Sequence, residues 1–411
     1  MKKPESTLSF DKEFTRQESI PDEGIQRAVE LMQSGRLHRY NVLAGEESDV
    51  SLLEKDFAAY MGTRYCAALN SCGSAIYVAL VSAGVRPGDR VLTNTFTLAP
   101  VPGAIQNAGA ECVLVDITED YVVDLDHLEH QARESQAKFF LISHMRGHIA
   151  DLDQVFKICE QYGICLIEDC AHTAGARWNQ HKVGTFGTAA CFSTQTYKHM
   201  NSGEGGLLVT NDEDLAAKAI LYSGSYMLYE RHGARPDLEV FERHKLHIPN
   251  FSLRMSNLQA ALIRPQLRIL DEQCRRWNAR HDLIIQELAA SPHIRLPRRD
   301  PREAYVGSSV QFSLTGMTSA LAEAFLARCA ERGVEVKWFG RREPHGFTSS
   351  YRNWQYLPSM PDLPASDQVL EYLFDFRVPL TFSLEDCRLI AAIIKQVLEE
   401  LSSEHSNTQA R

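Results

Sequence analysis

Residues 165 to 212 read CLIEDCAHTAGARWNQHKVGTFGTAACFSTQTYKHMNSGEGGLLVTND, and three features in this stretch could do chemistry. Asp169 closes one apolar strand pattern, Lys198 follows a second, and Gly203-Glu204-Gly205-Gly206 leads into a third. Each has a commonplace reading: an aspartate caps helices, a loop lysine is solvated, and glycines make tight turns. Together they supply an amine that condenses with a carbonyl, an acid that keeps a ring nitrogen protonated, and backbone bare enough for close packing. Those are the requirements of pyridoxal 5'-phosphate (PLP) chemistry. Asp169 falls at the carboxyl end of its strand, where open α/β sheets bind ligands.

The residues around this core resemble the DegT/DnrJ/EryC1/StrS sugar aminotransferase family, from about residue 40 to 275 and more weakly beyond. Glu168-Asp169-Cys170-Ala171-His172 matches the family's E-D-x-x-[QH], and Phe192, Ser193, Lys198 and Gly203 to Gly206 match its F-S-x-x-x-x-K and x-G-E-G-G. The resemblance implies PLP fold type I, with a large α/β domain whose mostly parallel sheet lies between helices and a smaller α+β C-terminal domain. It implies PLP as cofactor, Lys198 as Schiff-base former and proton shuttle, Asp169 at the ring nitrogen, and His172 near the ring's phenolic oxygen. Cys72-Gly73-Ser74-Ala75 is similar to the family's S-G-T-A, so Gly73 and Ser74, at a helix N-terminus suited to anions, would bind the phosphate together with Ser193. Phe96 stands where the family stacks an aromatic on the ring; a buried core phenylalanine is the competing reading, as a core histidine is for His172. His144 and Gly147 match a pattern taken as structural.

Three departures accompany the resemblance. Gln195, a candidate for cofactor binding, stands where the family often has His; a Gln at this place occurs in the family's aminocyclitol and 3-amino-5-hydroxybenzoate branch. Ser252 occupies the place of the Asn that reaches the neighbouring subunit's phosphate, leaving Asn250 as the candidate. The family's H-x-[YF] is not recognisable in AYVGSSVQFSL. The implied function is transfer of an amino group from glutamate or glutamine to a keto sugar, often nucleotide-linked, or a related polyol ketone. The alternatives are cyclitol transamination or dehydration in that branch, and a non-catalytic PLP-binding regulatory protein. Arg146, Arg177, Arg231 and His232 are candidates for an anionic group on the acceptor, against the plainer reading of solvated charges. The family's active sites imply a homodimer.

The elements that must position these residues show in the apolar pattern. Short runs at Tyr65–Leu69, Arg90–Thr93, Cys112–Val115, Phe139–Ser143, Cys165–Glu168, Ala189–Ser193 and Gly206–Thr210 alternate with helical patterns at Ser74–Ala83, Val101–Asn107, Leu152–Tyr162 and Asp214–Tyr222. Strands so uniformly apolar suit a sheet buried on both faces. Residues 223 to 250 read as a long loop, Ser256 to Leu288 as one linking helix, and Ser309–Leu314, Ala320–Arg332 and Val334–Lys337 as the smaller domain. A closing helix is expected over Leu384–Leu401. The expected division is an N-terminal segment 1–35, a large PLP-binding domain 36–290, a small domain 291–402 and a frayed tail 403–411.

Composition fits this plan. The 411 residues are 44% hydrophobic and 23% charged, with a net charge of −10 and no dense basic block, so a nucleic-acid partner is not expected. No long apolar run suggests a membrane segment or signal peptide. Ten scattered cysteines without a C-x-x-C pair point to no metal site and to a reducing cytoplasm.

Overall fold

The computed structural model describes residues 7–341, 343–344, 350–358 and 360–409. All seven expected strands form, each within a residue of its expected bounds: β1 (Tyr65–Leu69), β2 (Arg90–Asn94), β3 (Glu111–Val115), β4 (Phe139–Ser143) and β5 (Cys165–Asp169), then, after a short hairpin of β6 (Arg177–Trp178) and β7 (His181–Lys182), β8 (Ala189–Ser193) and β9 (Gly206–Thr210). They assemble in the order β1-β9-β8-β5-β4-β2-β3. Strands β3, β2, β4, β5 and β8 pair in parallel, while β9 runs antiparallel to both β8 and β1. The twelve residues that join β8 to β9, 194–205, form a loop without a helix, whereas a parallel return usually crosses over through an α-helix.

Successive side chains point to opposite faces of the sheet. Phe140, Leu166 and Phe192 enter one core, and Leu141, Ile167 and Cys191 enter the other. Both faces are therefore covered by helices, among them Cys72–Ala83 and Leu152–Tyr162. A second sheet combines β10 (Ile294–Arg295), β12 (Ser309–Leu314), β13 (Lys337–Trp338) and β14 (Leu373–Arg377), in the order β10-β12-β14-β13, while β11 (Glu303–Ala304) joins the β6–β7 hairpin. Phe10 and Phe14 of the N-terminal segment are buried in the core of this second unit beside Phe376 and Phe382.

Several expectations needed correction. The linking helix is two helices, Asn257–Arg268 and Leu270–Leu288; Pro265 removes a donor from the first, and Ile269, at φ −107 and ψ 6, breaks the run. The 223–250 stretch contains the helical turns Tyr229–Arg231 and Leu238–Glu242. The closing helix runs on to Gln409 instead of fraying after Leu401, with Arg328 bonded to Glu404 at 2.6 Å and the Ser402 and Ser403 hydroxyls bonded to carbonyls one turn back. The helices Asp22–Ser34, Asp49–Met61, Leu125–Ser135 and Pro364–Glu371 were not anticipated. Among the described residues no helix is long and apolar enough to cross a membrane.

Candidate active site

A cavity of about 490 Å³ opens at the carboxyl ends of β5 and β8, beside the first turn of the helix Cys72–Ala83. Gly73, Asp169, His172, Ser193, Gln195 and Lys198 all line it, with Arg146, Tyr197, Lys337 and Arg377. The loop from β8 to β9 is cross-braced: Thr194 N–H bonds the Gly205 carbonyl, Ser202 N–H the Thr194 carbonyl, and Lys198 N–H the Gln195 carbonyl. This bracing aims the Lys198 side chain inward, where Nζ lies 2.9 Å from His172 Nε2. Burial first, then the Arg146 charge, lowers the Lys198 amine to about 8. Burial and the neighbouring Lys198 charge hold His172 well below the usual histidine range, leaving a neutral ring whose nitrogen can share the lysine proton.

Asp169 is no helix cap. Its Oδ2 accepts from Ser143 Oγ at 2.7 Å and its Oδ1 from Ala171 N–H at 3.1 Å. Thr97 Oγ1 donates in turn to Ser143 Oγ at 2.8 Å, so β4, β5 and the turn after β2 together fix the carboxylate. Burial raises its pKa, while Ser143, Ala171 N–H and the Lys198 charge pull the other way.

Next to it in sequence, Glu168 faces the opposite side and is structural. Its oxygens accept from the N–H groups of Gly184, Phe186 and Gly187 at 2.8–2.9 Å and approach His144 Nε2 at 3.2 Å. His144, Glu168 and Cys170 cluster as metal-ligand types do, but these contacts already engage the carboxylate.

At the start of the helix Cys72–Ala83 the Ser71 hydroxyl accepts the N–H of Ser74, and the Ser71 carbonyl takes that of Ala75. Helices leave their first N–H groups without internal partners, so those of Cys72 and Gly73 remain for an anion. Ser193 Oγ accepts from Gln195 N–H at 3.3 Å and keeps its own proton to donate. An amine, a pinned acid and a donor-rich helix start thus share one cavity, a donor set of the kind that PLP would need.

Some expected site residues lie elsewhere. Ser74 turns its hydroxyl to Ser71 and does not line the cavity. Phe96 is a correction: Asn94 Nδ2 bonds the Phe96 carbonyl and turns the ring into a core with Tyr121, His148 and Phe339, so the same segment offers the cavity Leu98 and Pro100 instead. Asn250 is exposed, accepts from Ser252 N–H at 2.9 Å, and does not line its own chain's cavity. Of the four anion candidates only Arg146 faces the cavity. Arg177 bonds the Gln180 carbonyl, Arg231 bonds the Tyr40 carbonyl, and His232 is buried against Glu54. Lys337 and Arg377 were missed. The signal was present in LFDFRV, where Asp375 and Arg377 put charges two apart in an otherwise apolar strand.

A sheet of this order, with a lysine and a buried acid at the carboxyl ends of its strands, is that of the fold-type-I class of PLP enzymes. The chain belongs to the DegT/DnrJ/EryC1/StrS aminotransferase family, whose model matches residues 19–395. It is 31% identical over 261 residues to the spore coat polysaccharide biosynthesis protein SpsC of Bacillus subtilis (strain 168), a match covering 62% of this chain and 64% of SpsC, just under two thirds of that relative. To the L-glutamine:2-deoxy-scyllo-inosose aminotransferase of Streptomyces fradiae it is 30% identical over 313 residues, 73% of each chain. The crystal structure of 3-amino-5-hydroxybenzoic acid synthase superposes with a TM-score of 0.79 at 26% identity, covering 94% of this chain and 99% of that one.

Proposed function

We propose that the protein is a PLP-dependent aminotransferase that moves an amino group from glutamate or glutamine to a keto sugar or a related cyclitol ketone. The observation that carries this reading is the Lys198–His172 contact of 2.9 Å within the cavity that also holds Asp169. Bound PLP supplies an electrophilic carbonyl and an electron sink. The chain does the rest. Asp169, held by Ser143 and Ala171 N–H, keeps a negative charge where the ring nitrogen's proton belongs. Lys198, lowered to about 8, holds or releases a proton near neutral pH, and His172 Nε2 orients its amine. Gly73 N–H and the Ser193 hydroxyl bind the phosphate.

The relatives support the donor and acceptor classes: one is named for glutamine and a cyclitol, another for polysaccharide synthesis. Asn250 is our candidate for the phosphate contact across a homodimer, and ten free cysteines suit a cytoplasmic enzyme. A second reading, in which dehydration accompanies transamination, is favoured by Gln195 in the cavity and by the likeness to 3-amino-5-hydroxybenzoic acid synthase; an aromatic product would single it out.

The test is a visible spectrum of the purified protein during titration with glutamate and glutamine. The wild type is expected to show a cofactor band that shifts with the donor, and Lys198→Ala to lose turnover by at least a thousandfold. A Lys198→Ala variant with undiminished turnover would overturn the assignment.

A further inference from the structure

The cavity holds more positive charge than PLP and Lys198 account for. Four cations line it, Arg146, Lys198, Lys337 and Arg377, against two carboxylates, Asp169 and Glu204. The phosphate-binding groups Gly73 and Ser193 come from the large sheet and its helix, whereas Lys337 and Arg377 come from β13 and β14 of the second sheet.

Arg377 packs its guanidinium 3.9 Å from the centre of the Tyr197 ring, and Lys337 lies 5.1 Å from that of Phe339. Neither has an ion-pair partner among the described residues. Asp375, the nearest acid on β14, is already engaged, accepting from Arg146 Nη2 at 2.6 Å and from Gln311 Nε2 at 2.7 Å. Gln311 Oε1 lies 2.8 Å from His148 Nε2, so a buried chain pins Arg146 through Asp375. Arg146 is nine-tenths buried, yet its Nε has no partner. Burial, then repulsion from Arg146, outweighs the attraction of Asp375 and lowers the proton affinity of both Lys337 and Arg377.

Unpaired, partly desolvated cations are costly, and a planar guanidinium matches a carboxylate. Donor and acceptor occupy the cavity in turn. An amino-acid donor brings its α-carboxylate in the first half; a neutral ketone would leave the same cations bare in the second.

Resting on the aminotransferase reading, we propose that Arg377 and Lys337 form a carboxylate subsite used in both halves, so that the keto acceptor is itself an acid, a keto sugar acid or a carbocyclic keto acid. They are specificity-determining residues, and Arg146 stands behind them.

The test uses the holoenzyme and dead-end probes: glucuronate, quinate and shikimate, each against its methyl ester, competing with the donor-driven shift of the cofactor band. At least one acid is expected to compete tenfold or more better than its ester. Arg377→Gln is expected to erase that preference and to raise the donor concentration needed about tenfold, Arg377→Lys to restore part of both, and Lys337→Met, at the cavity rim, to weaken both in a fold little disturbed. Acid and ester competing equally in the wild type, or a preference undiminished in both Arg377→Gln and Lys337→Met, overturns the proposal. Failure of the aminotransferase reading looks different: the wild-type band would not respond to any donor.

Discussion

At the scale of single residues the site turns on Lys198. An amine in water takes a proton near pH 10.4 and would be almost wholly charged at neutrality. Burial and the Arg146 guanidinium lower it to about 8, while Asp169 opposes them. Only the neutral amine attacks a carbonyl, so capture of PLP by cofactor-free protein should speed up as pH rises and level off above about pH 8. Arg146→Gln removes a neighbouring positive charge and should move that inflection upward. Stopped-flow absorbance across a pH series checks both, and an inflection unmoved by Arg146→Gln would remove Arg146 from the account. The sequence made the acid, Ser193 and the lysine legible because Asp169 and Ser193 close strands, and Lys198 lies between Ser193 and a glycine-rich turn at the spacing of the family's motif. It could not place Phe96, since the Asn94 bond to the Phe96 carbonyl that turns the ring away depends on how the chain bends after β2. Arg377 was hidden for another reason: its strand joins the cavity only once the second sheet packs against the first.

At the scale of elements, the turn proposed to bind the phosphate and the lysine loop meet at a single glycine. A Cβ on Gly206 would lie 2.3 Å from the Ser71 carbonyl oxygen and 2.6 Å from Cys72 N, both backbone atoms that cannot swing aside. Glycine therefore lets β9 lie close enough to the turn after β1 to present Cys72 and Gly73 to an anion. Gly206→Ala should push that turn away, costing about 2 kcal/mol by overpacking and weakening PLP binding at least tenfold. Gly203→Ala is the contrast. Nothing lies within 4 Å of its Cβ, but its φ of +80 is strained for alanine, so stability should fall by about 1 kcal/mol with PLP affinity kept. Thermal unfolding with PLP titration separates the two, and equal losses of affinity would refute the contact argument. The strands of the large sheet were legible because both its faces are apolar. The helix Asp22–Ser34 was not, because its buried face is completed by the distant helix Asn257–Arg268, against which Gly24 packs through Pro265.

At the scale of the whole molecule, one buried ionic group ties distant parts of the chain together beneath the site. Arg39 donates from Nη1 and Nη2 to the two oxygens of Glu54 at 2.9 and 2.8 Å, and His232 Nε2 lies 3.0 Å from Glu54 Oε2. Glu54 Oε1 also accepts the N–H of Ala68 in β1, the strand that runs into the turn before the helix Cys72–Ala83. Tyr40 hydroxyl contacts His232 Nδ1 at 3.1 Å and donates to Ser225, so the segment after the helix Glu213–Ile220 belongs to the same group. Burial pushes the Glu54 carboxyl up, but attraction to Arg39 and His232 and their hydrogen bonds prevail and hold it at about 2. A carboxyl depressed in the folded state contributes stability in full above its unfolded value near 4.5 and loses it as pH falls toward 2. His232 acts in the same direction: burial, then Arg39, lowers it below 6.5, so beneath that pH the unfolded chain binds a proton that the native chain refuses. Stability should therefore decline from pH 7 downward. Glu54→Gln leaves the Arg39 charge buried without its anion and should cost about 4 kcal/mol at pH 7. The gap between wild type and Glu54→Gln in urea unfolding should narrow as pH falls from about 5 toward 3, because the unfolded wild-type chain then takes up a proton on Glu54 that the native chain still refuses. A gap that stays constant over that range would mean that packing, and not the charge on Glu54, binds these segments together.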